Sequence, residues 1–316
     1  MTQQQRWTAE QIPDQSGRTF LVTGASSGLG LATTRELARA GGHVILAVRD
    51  EAKGRRAVAT LAAEQPDARL DTRLDVRRLD LADLDSIRDF AAQLHTERGR
   101  LDVLINNAGV MALPRTLSPQ GHELQFATNH LGHFALTGLL LDLLAAGRDP
   151  RVVTISSVNH RQAALRFDDL DGERHYKPMA AYNQSKLANA VFGQELHRRL
   201  TPAASPVRSV LAHPGYTASN LQLNGPTGPW RVLLGRIGNP LLAQRPERGA
   251  LPQLYAATEP GVLGGEFIGP DGPAELRGAP TRVRLAPAAA DAENGRRLWE
   301  ISERRTEVRY GFPTPV

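Results

Sequence analysis

The 316-residue chain contains no cysteine. That absence excludes disulfides, a thiol nucleophile and every thiolate metal site. Aromatic residues are also sparse, at 5%, and few lie near the arginine pairs Arg55-Arg56, Arg77-Arg78, Arg198-Arg199 and Arg304-Arg305. Nucleic-acid binding needs clustered cations and rings for stacking. The modest net charge of +5 therefore reads as a solvated basic surface. Long apolar runs are missing too. The longest, Leu131 to Ala146, is interrupted by His133 and Asp142 and falls short of the ~20 residues that a membrane span needs. It is expected to form a buried helix. Met1 to Gly17 is polar, with neither a basic start nor an apolar core, so no export signal is expected and the cytoplasm is the predicted location.

Hydrophobic residues at 41% and charged residues at 22% are ordinary for a globular protein with a sizeable core. From Arg18 onward short β-rich runs alternate with helical patterns, the mark of βαβ units around a parallel sheet. Strands are expected at Thr19-Val22, His43-Val48, Leu74-Leu79, Leu101-Asn106, Arg151-Ser156, Val207-Ala212 and Glu266-Ile268. Helices are expected at Leu29-Ala40, Ala52-Ala63, Asp83-Glu97, Glu123-Ala145, Tyr182-Leu200 and Pro246-Ala257, with a late one near Asp291-Arg305. The predicted fold is a single α/β domain of Rossmann type, a three-layer sandwich around a doubly wound parallel sheet of about seven strands. Its core would run from about 18 to 268, with a Gly- and Pro-rich substrate lid at 215–245 and a C-terminal extension at 270–316.

Two motifs carry chemistry. The turn Thr23-Gly24-Ala25-Ser26-Ser27-Gly28-Leu29-Gly30 lies between a strand and a helix. Glycines there let backbone approach a pyrophosphate, and the helix aims free amides and its positive dipole end at the charge. A glycine turn alone can also be only a turn. The second motif, Tyr182-Asn183-Gln184-Ser185-Lys186, places tyrosine and lysine on one helical face. An ammonium beside a phenol favours the phenolate and lowers its pKa from near 10, which makes tyrosine a general acid/base. His130 and His133 have a metal-like spacing, but no acidic or histidine cluster joins them in sequence, and no metal is predicted.

Taken in order, the glycine turn, Asn106-Asn107-Ala108-Gly109, Asn129, Ser156-Ser157, Tyr182 with Lys186, and Pro214-Gly215 resemble the short-chain dehydrogenase/reductase superfamily from about Arg18 to Ile268. The runs Asn129-His130-Leu131-Gly132-His133-Phe134 and Tyr182-Asn183-Gln184-Ser185-Lys186-Leu187-Ala188-Asn189 look like its retinol-dehydrogenase and protochlorophyllide-reductase branch. The stretch between Ser157 and Tyr182 is longer than in most of the superfamily, as in that branch. The apolar residues of this insert, Leu165, Phe167, Leu170 and Met179, would pin it down or contact substrate.

The resemblance implies a catalytic set of Ser157, Tyr182 and Lys186, with Asn129 shaping its helix and holding a relay water, or simply satisfying backbone groups. Gly24, Ser26, Ser27, Gly28, Leu29 and Gly30 would hold the cofactor's pyrophosphate, while Asn107, Ala108 and Gly109 would lie along its ribose. Asp80 and Leu81 match the adenine contact, although Asp80 could equally start a helix. Pro214 and Gly215 match the turn beside the carboxamide, where the family's threonine position is occupied by Ser219 and Thr217 lies nearer. Arg49 ends the second strand, where an arginine accommodates the extra phosphate of NADP. The expected activity is NADP(H)-dependent interconversion of a carbonyl and an alcohol in a hydrophobic small molecule. The alternatives are reduction of an activated carbon–carbon double bond and a silent NADP-binding regulator. Members of the superfamily commonly pair through the helices holding Asn129 and Tyr182, so a homo-oligomer is a further expectation, which the insert and tail could block.

Overall fold

The computed structural model describes residues 6–64, 73–217 and 244–312. One eight-stranded sheet organises them, in the order β3-β2-β1-β4-β5-β6-β7-β8. Its strands are β1 (Thr19–Thr23), β2 (His43–Val48), β3 (Leu74–Arg78), β4 (Val103–Asn106), β5 (Arg151–Ile155), β6 (Arg208–Ala212), β7 (Phe267–Pro270) and β8 (Pro280–Arg282). The first seven are parallel and match the seven expected from sequence. β8 is added antiparallel to β7. It is three residues long, with two of them exposed, so it carries no alternation for a sequence reading to detect.

The strand runs are apolar because both faces of the sheet are covered. Helices α1 (Gly28–Arg39), α2 (Glu51–Glu64) and α3 (Leu84–Glu97) follow the first three strands. Leu21, Ile45 and Leu104 pack into the layer containing Phe134 and Phe192, while Phe20, Val22 and Val103 pack into the layer containing Leu37 and Leu254. Leu254 lies on α9 (Leu251–Thr258), which follows the single turn α8 (Pro246–Gly249). At about 25 cal/mol per Å² of apolar area, these two layers supply most of the driving force for the fold.

The single helix expected over Glu123–Ala145 is broken. It consists of α4 (Leu124–Phe126), a π turn at Ala127–Leu131, α5 (Gly132–Leu139) and α6 (Leu141–Ala145). Gly132 sits directly against the Leu81 carbonyl, where no side chain fits. The π turn contains Asn129, and such bulges commonly mark functional sites. α7 (Pro178–Leu200) is 23 residues long and starts with proline at its first turn, where the missing N–H costs nothing.

The C-terminal extension folds back on the core through α10 (Pro287–Ala290) and α11 (Ala292–Thr306). Leu298 and Trp299 are buried, and Trp299 lies edge-on to Phe134 at 5.0 Å and to Tyr310 at 4.5 Å. The buried Tyr310 hydroxyl donates to the Phe134 carbonyl at 2.6 Å. α11 thus covers part of α5 and α7 within the same chain. In the insert, Leu170 is buried and Leu165 and Phe167 pack beside it, so these three hold the segment down. Met179 remains 44% exposed. Most of the expected lid, 218–243, lies outside the described residues.

Candidate active site

A cleft of about 570 Å³ opens at the carboxyl ends of β1, β2 and β4, next to the point where the strand order reverses and where ligands bind in open α/β sheets. Gly24, Ser26, Ser27, Gly28, Leu29 and Gly30 form one wall, Arg49, Asp80 and Leu81 another, and Asn107, Ala108 and Gly109 the floor. Gly24 has φ +66°, and a Cβ there would lie 3.0 Å from Ala108, so this turn tolerates only glycine. Ser27 precedes α1 without capping it by its side chain. The first amides of α1 are therefore left for a ligand, as an anion site requires.

Thr23 locks the floor in place. Its hydroxyl oxygen accepts from the amides of Asn107 and Ala108, each at 2.9 Å, and lies 2.9 Å from His133 Nε2. His133 Nδ1 faces the Asn129 carbonyl at 2.9 Å, so it carries the ring proton and Nε2 accepts from Thr23. Burial holds this histidine down to about 4, which keeps it neutral. His130 instead reaches Ser302 at 2.9 Å. The two histidines have separate partners, and no group of three or more potential metal ligands occurs among the described residues.

Asn129 is buried in the π turn. Its Oδ1 accepts from Val110 N at 2.8 Å, and its Nδ2 donates to Val110 O at 2.9 Å and Ser185 Oγ at 2.8 Å. Three hydrogen bonds to Val110 and Ser185 therefore engage its amide. Past Gly109 lie the remaining catalytic candidates, since a Cβ on Gly109 would lie 3.2 Å from Asn129 Oδ1 and 3.5 Å from Lys186 Nζ. Lys186 is buried, donates to the Ile155 carbonyl at 3.2 Å, and lies 5.9 Å from the centre of the Tyr182 ring. Ser157 lies beside the Tyr182 phenol and acts to lower its pKa, while Ser157 Oγ accepts from Asn159 N at 3.3 Å. Ser156 ties β5 to α7 instead, donating to Lys186 O at 2.8 Å.

Burial dominates the proton affinities of Tyr182 and Lys186. Burial pushes Tyr182 up to about 12, against a lowering by the Ser157 hydrogen bond, and burial brings Lys186 down to about 8. Desolvation of both groups outweighs the expected pull of the ammonium on the phenol. By itself the chain thus holds a protonated tyrosine, ready to donate.

Other candidates are placed less simply. Arg49 is exposed at the cleft wall with Lys53 beside it. Neither has an ion pair among the described residues. Lys53 was not anticipated, although it lies one helical turn beyond Arg49. Asp50 accepts from Lys53 N at 3.0 Å and so caps α2. Asp80 lines the cleft but accepts from Ala82 N at 3.0 Å, while the cap of α3 is Asp83. Pro214, Gly215 and Thr217 lie outside the cleft lining, and the Thr217 hydroxyl donates to Pro214 O at 3.0 Å. Ser219 lies outside the described residues. Val110, Met111, Leu113, Leu124 and Thr128 complete the cleft. No motif marks these last residues: Val110, Met111 and Leu113 follow β4, Leu124 opens α4 and Thr128 lies in the π turn.

Comparison with known proteins agrees with this arrangement. The family model "short chain dehydrogenase" matches residues 18–227. Human retinol dehydrogenase 13 is 42% identical over 295 residues, covering 91% of this chain and 84% of that protein. Mouse polyprenol dehydrogenase is 38% identical over 302 residues, covering 93% and 85%. A crystal structure of a protein from Mycobacterium paratuberculosis superposes with a TM-score of 0.79 at 41% identity, covering 98% of this chain and 100% of that one. A Pseudomonas aeruginosa RhlG/NADP active-site complex superposes at 0.64 with 25% identity, covering 83% and 97%. The chain belongs to the short-chain dehydrogenase/reductase family, in its retinol dehydrogenase-like branch, and is an oxidoreductase acting on alcohol and carbonyl groups.

Proposed function

We propose that this protein interconverts an apolar carbonyl compound and its alcohol with NADP(H), using Tyr182 as general acid/base. The observation that carries this reading is the buried Tyr182 beside Ser157, with Lys186 Nζ 5.9 Å from its ring centre, just past Gly109 of a cleft whose wall bears Arg49 and Lys53. The nicotinamide, when bound, supplies or accepts the hydride. Ser157 orients the substrate oxygen and stabilises charge that develops there. Tyr182, protonated because it is buried, donates its proton to that oxygen in reduction and takes it back in oxidation. Lys186 holds positive charge beside the phenol. Asn129 acts as a positioning residue, pinning Val110 and Ser185 around the lysine.

The glycine turn and the α1 amides without a side-chain cap suit a pyrophosphate, and two cations with no ion pair among the described residues suit the extra phosphate that distinguishes NADP from NAD. The Pseudomonas aeruginosa RhlG structure is an NADP complex. Val110, Met111, Leu113 and Leu124 offer an apolar wall, and similar proteins are named for retinol and polyprenol. A hydrophobic primary alcohol and its aldehyde are accordingly the substrate class. No helix among the described residues is long and apolar enough to cross a membrane.

The test is NADPH oxidation with retinal, long-chain aldehydes and ketones. Tyr182→Phe should lower turnover by roughly 10²- to 10⁴-fold while NADPH binding, followed by fluorescence, stays near the wild-type value. Turnover retained in that variant would remove Tyr182 from the mechanism. An equal preference for NADH would remove the phosphate role of Arg49 and Lys53.

A further inference from the structure

We propose that Glu275, in the turn between β7 and β8, is a positioning residue that sets the two strand-end loops of the active site against each other. The proposal rests on the cofactor reading above. Ala274 (φ 51°) and Glu275 (φ 56°) are adjacent non-glycine residues in the left-handed region. Sterics disfavour that conformation for residues with a Cβ, and it persists only where surrounding contacts impose it.

Those contacts lead to the site from two directions. On one side Arg161 Nη2 reaches both Glu275 carboxylate oxygens, at 2.8 and 2.9 Å. Arg161 belongs to the short helical turn Val158–Gln162, which Ser157 caps. In the same turn His160 Nδ1 donates to the Ser157 carbonyl at 2.6 Å, and its Nε2 accepts from Ala286 N at 3.2 Å. On the other side Glu275 Oε2 lies 2.9 Å from Nε2 of the buried His213. His213 Nδ1 accepts from Gly215 N at 3.2 Å, so Nε2 carries the proton and donates it to the carboxylate. The next residue continues the clamp. Leu276 O accepts from Tyr216 N at 2.8 Å, and it also blocks the place of any Cβ on Gly215, which has φ +67°.

One carboxylate therefore joins the loop that carries Ser157 to the turn Pro214–Gly215. Oε2 accepts from both the imidazole and the guanidinium, and Oε1 gives Arg161 a second charged acceptor that an amide lacks. In Glu275→Gln one oxygen remains as an acceptor and the amide N–H₂ opposes Arg161. Glu275→Ala loses both contacts. Glu275 touches neither reacting atoms nor the cleft lining, so it acts through Ser157 and through the turn proposed to lie at the nicotinamide end.

The test compares NADPH with 2′,5′-ADP, which lacks the nicotinamide. Glu275→Ala should raise KM for NADPH and lower kcat, together by roughly tenfold to a hundredfold, with the Kd for 2′,5′-ADP unchanged. Glu275→Gln should fall between that variant and wild type. Equal weakening of both ligands, or wild-type kcat and KM in Glu275→Ala, overturns the positioning role. If the wild-type protein binds neither ligand, the cofactor reading fails and the positioning role falls with it.

Discussion

The two ends of the sheet use similar residues to opposite effect. At the amino end, buried Arg151 donates to the carbonyls of Ala256 and Glu259, each at 2.9 Å, and to Asp149 at 2.6 Å. Arg18 reaches Gln15 at 2.7 Å and the Asp149 carbonyl at 3.0 Å. Asp102 accepts from Thr19 N at 2.6 Å, and Arg208 pairs with Asp149. Arg18, Arg151 and Arg208 thus each meet an acceptor of the chain itself. At the carboxyl end Arg49 and Lys53 line the cleft with no ion pair among the described residues, Ser27 leaves α1 without a side-chain cap, and Tyr182 and Lys186 are buried with shifted proton affinities. Paired charges at one end close the structure, and unpaired ones at the other await a ligand.

That contrast can be broken by substitution. The largest effect is expected at the amino end. Arg151→Met leaves two carbonyls and Asp149 facing a buried apolar side chain, and should cost about 3–5 kcal/mol of stability, read by denaturant unfolding. Turnover per folded molecule should be unchanged. A reduced kcat would mean that the two ends are coupled through the sheet. Next comes the carboxyl end, where Arg49→Ala with Lys53→Ala should weaken NADPH binding by about 1.5–3 kcal/mol. The unfolding free energy should shift by no more than ~0.5 kcal/mol. Parallel loss of binding and stability would make these two cations structural, like those at the other end.

The smallest effect should come from pH. Lys186 is brought down from 10.5 to about 8 by burial, so it is charged below that value and neutral above it. If the ammonium is needed, turnover should fall about tenfold for each unit above pH 8. Stability should move the other way. Between about 8 and 10.5 the unfolded chain binds a proton that the folded chain lacks, so folding becomes more favourable as pH rises. Arg18 and Arg151, each held to about 10, remain charged through the start of this window. A turnover profile that stays flat to pH 9 would separate Lys186 from the chemistry.

Much of the site was legible because its parts are local. The glycine turn and the Tyr182–Lys186 spacing are each one continuous stretch, and they retain their meaning wherever the fold carries them. Lys53 was overlooked because a single lysine in a polar helix has no pattern of its own. It matters only because α2 lies beside the cleft. Glu275 was invisible for a stronger reason. Its partners Arg161 and His213 are 114 and 62 residues away, and nothing in the run Gly272-Pro273-Ala274-Glu275 signals a left-handed pair. The break in the expected Glu123–Ala145 helix was hidden likewise, because nothing in its apolar run marks the π turn at Ala127–Leu131 or the kink at Leu140.

The sequence by itself determined the seven parallel strands, the helices between them and the chemical groups available at their carboxyl ends. Apolar periodicity and turn chemistry act within about ten residues. Tertiary structure alone decided which groups lost their water and which charges met a partner. The same tyrosine and lysine on an exposed helix would titrate near their ordinary values. Burial in α7, behind Gly109 and Asn129, makes one a stable proton donor and the other a readily lost charge.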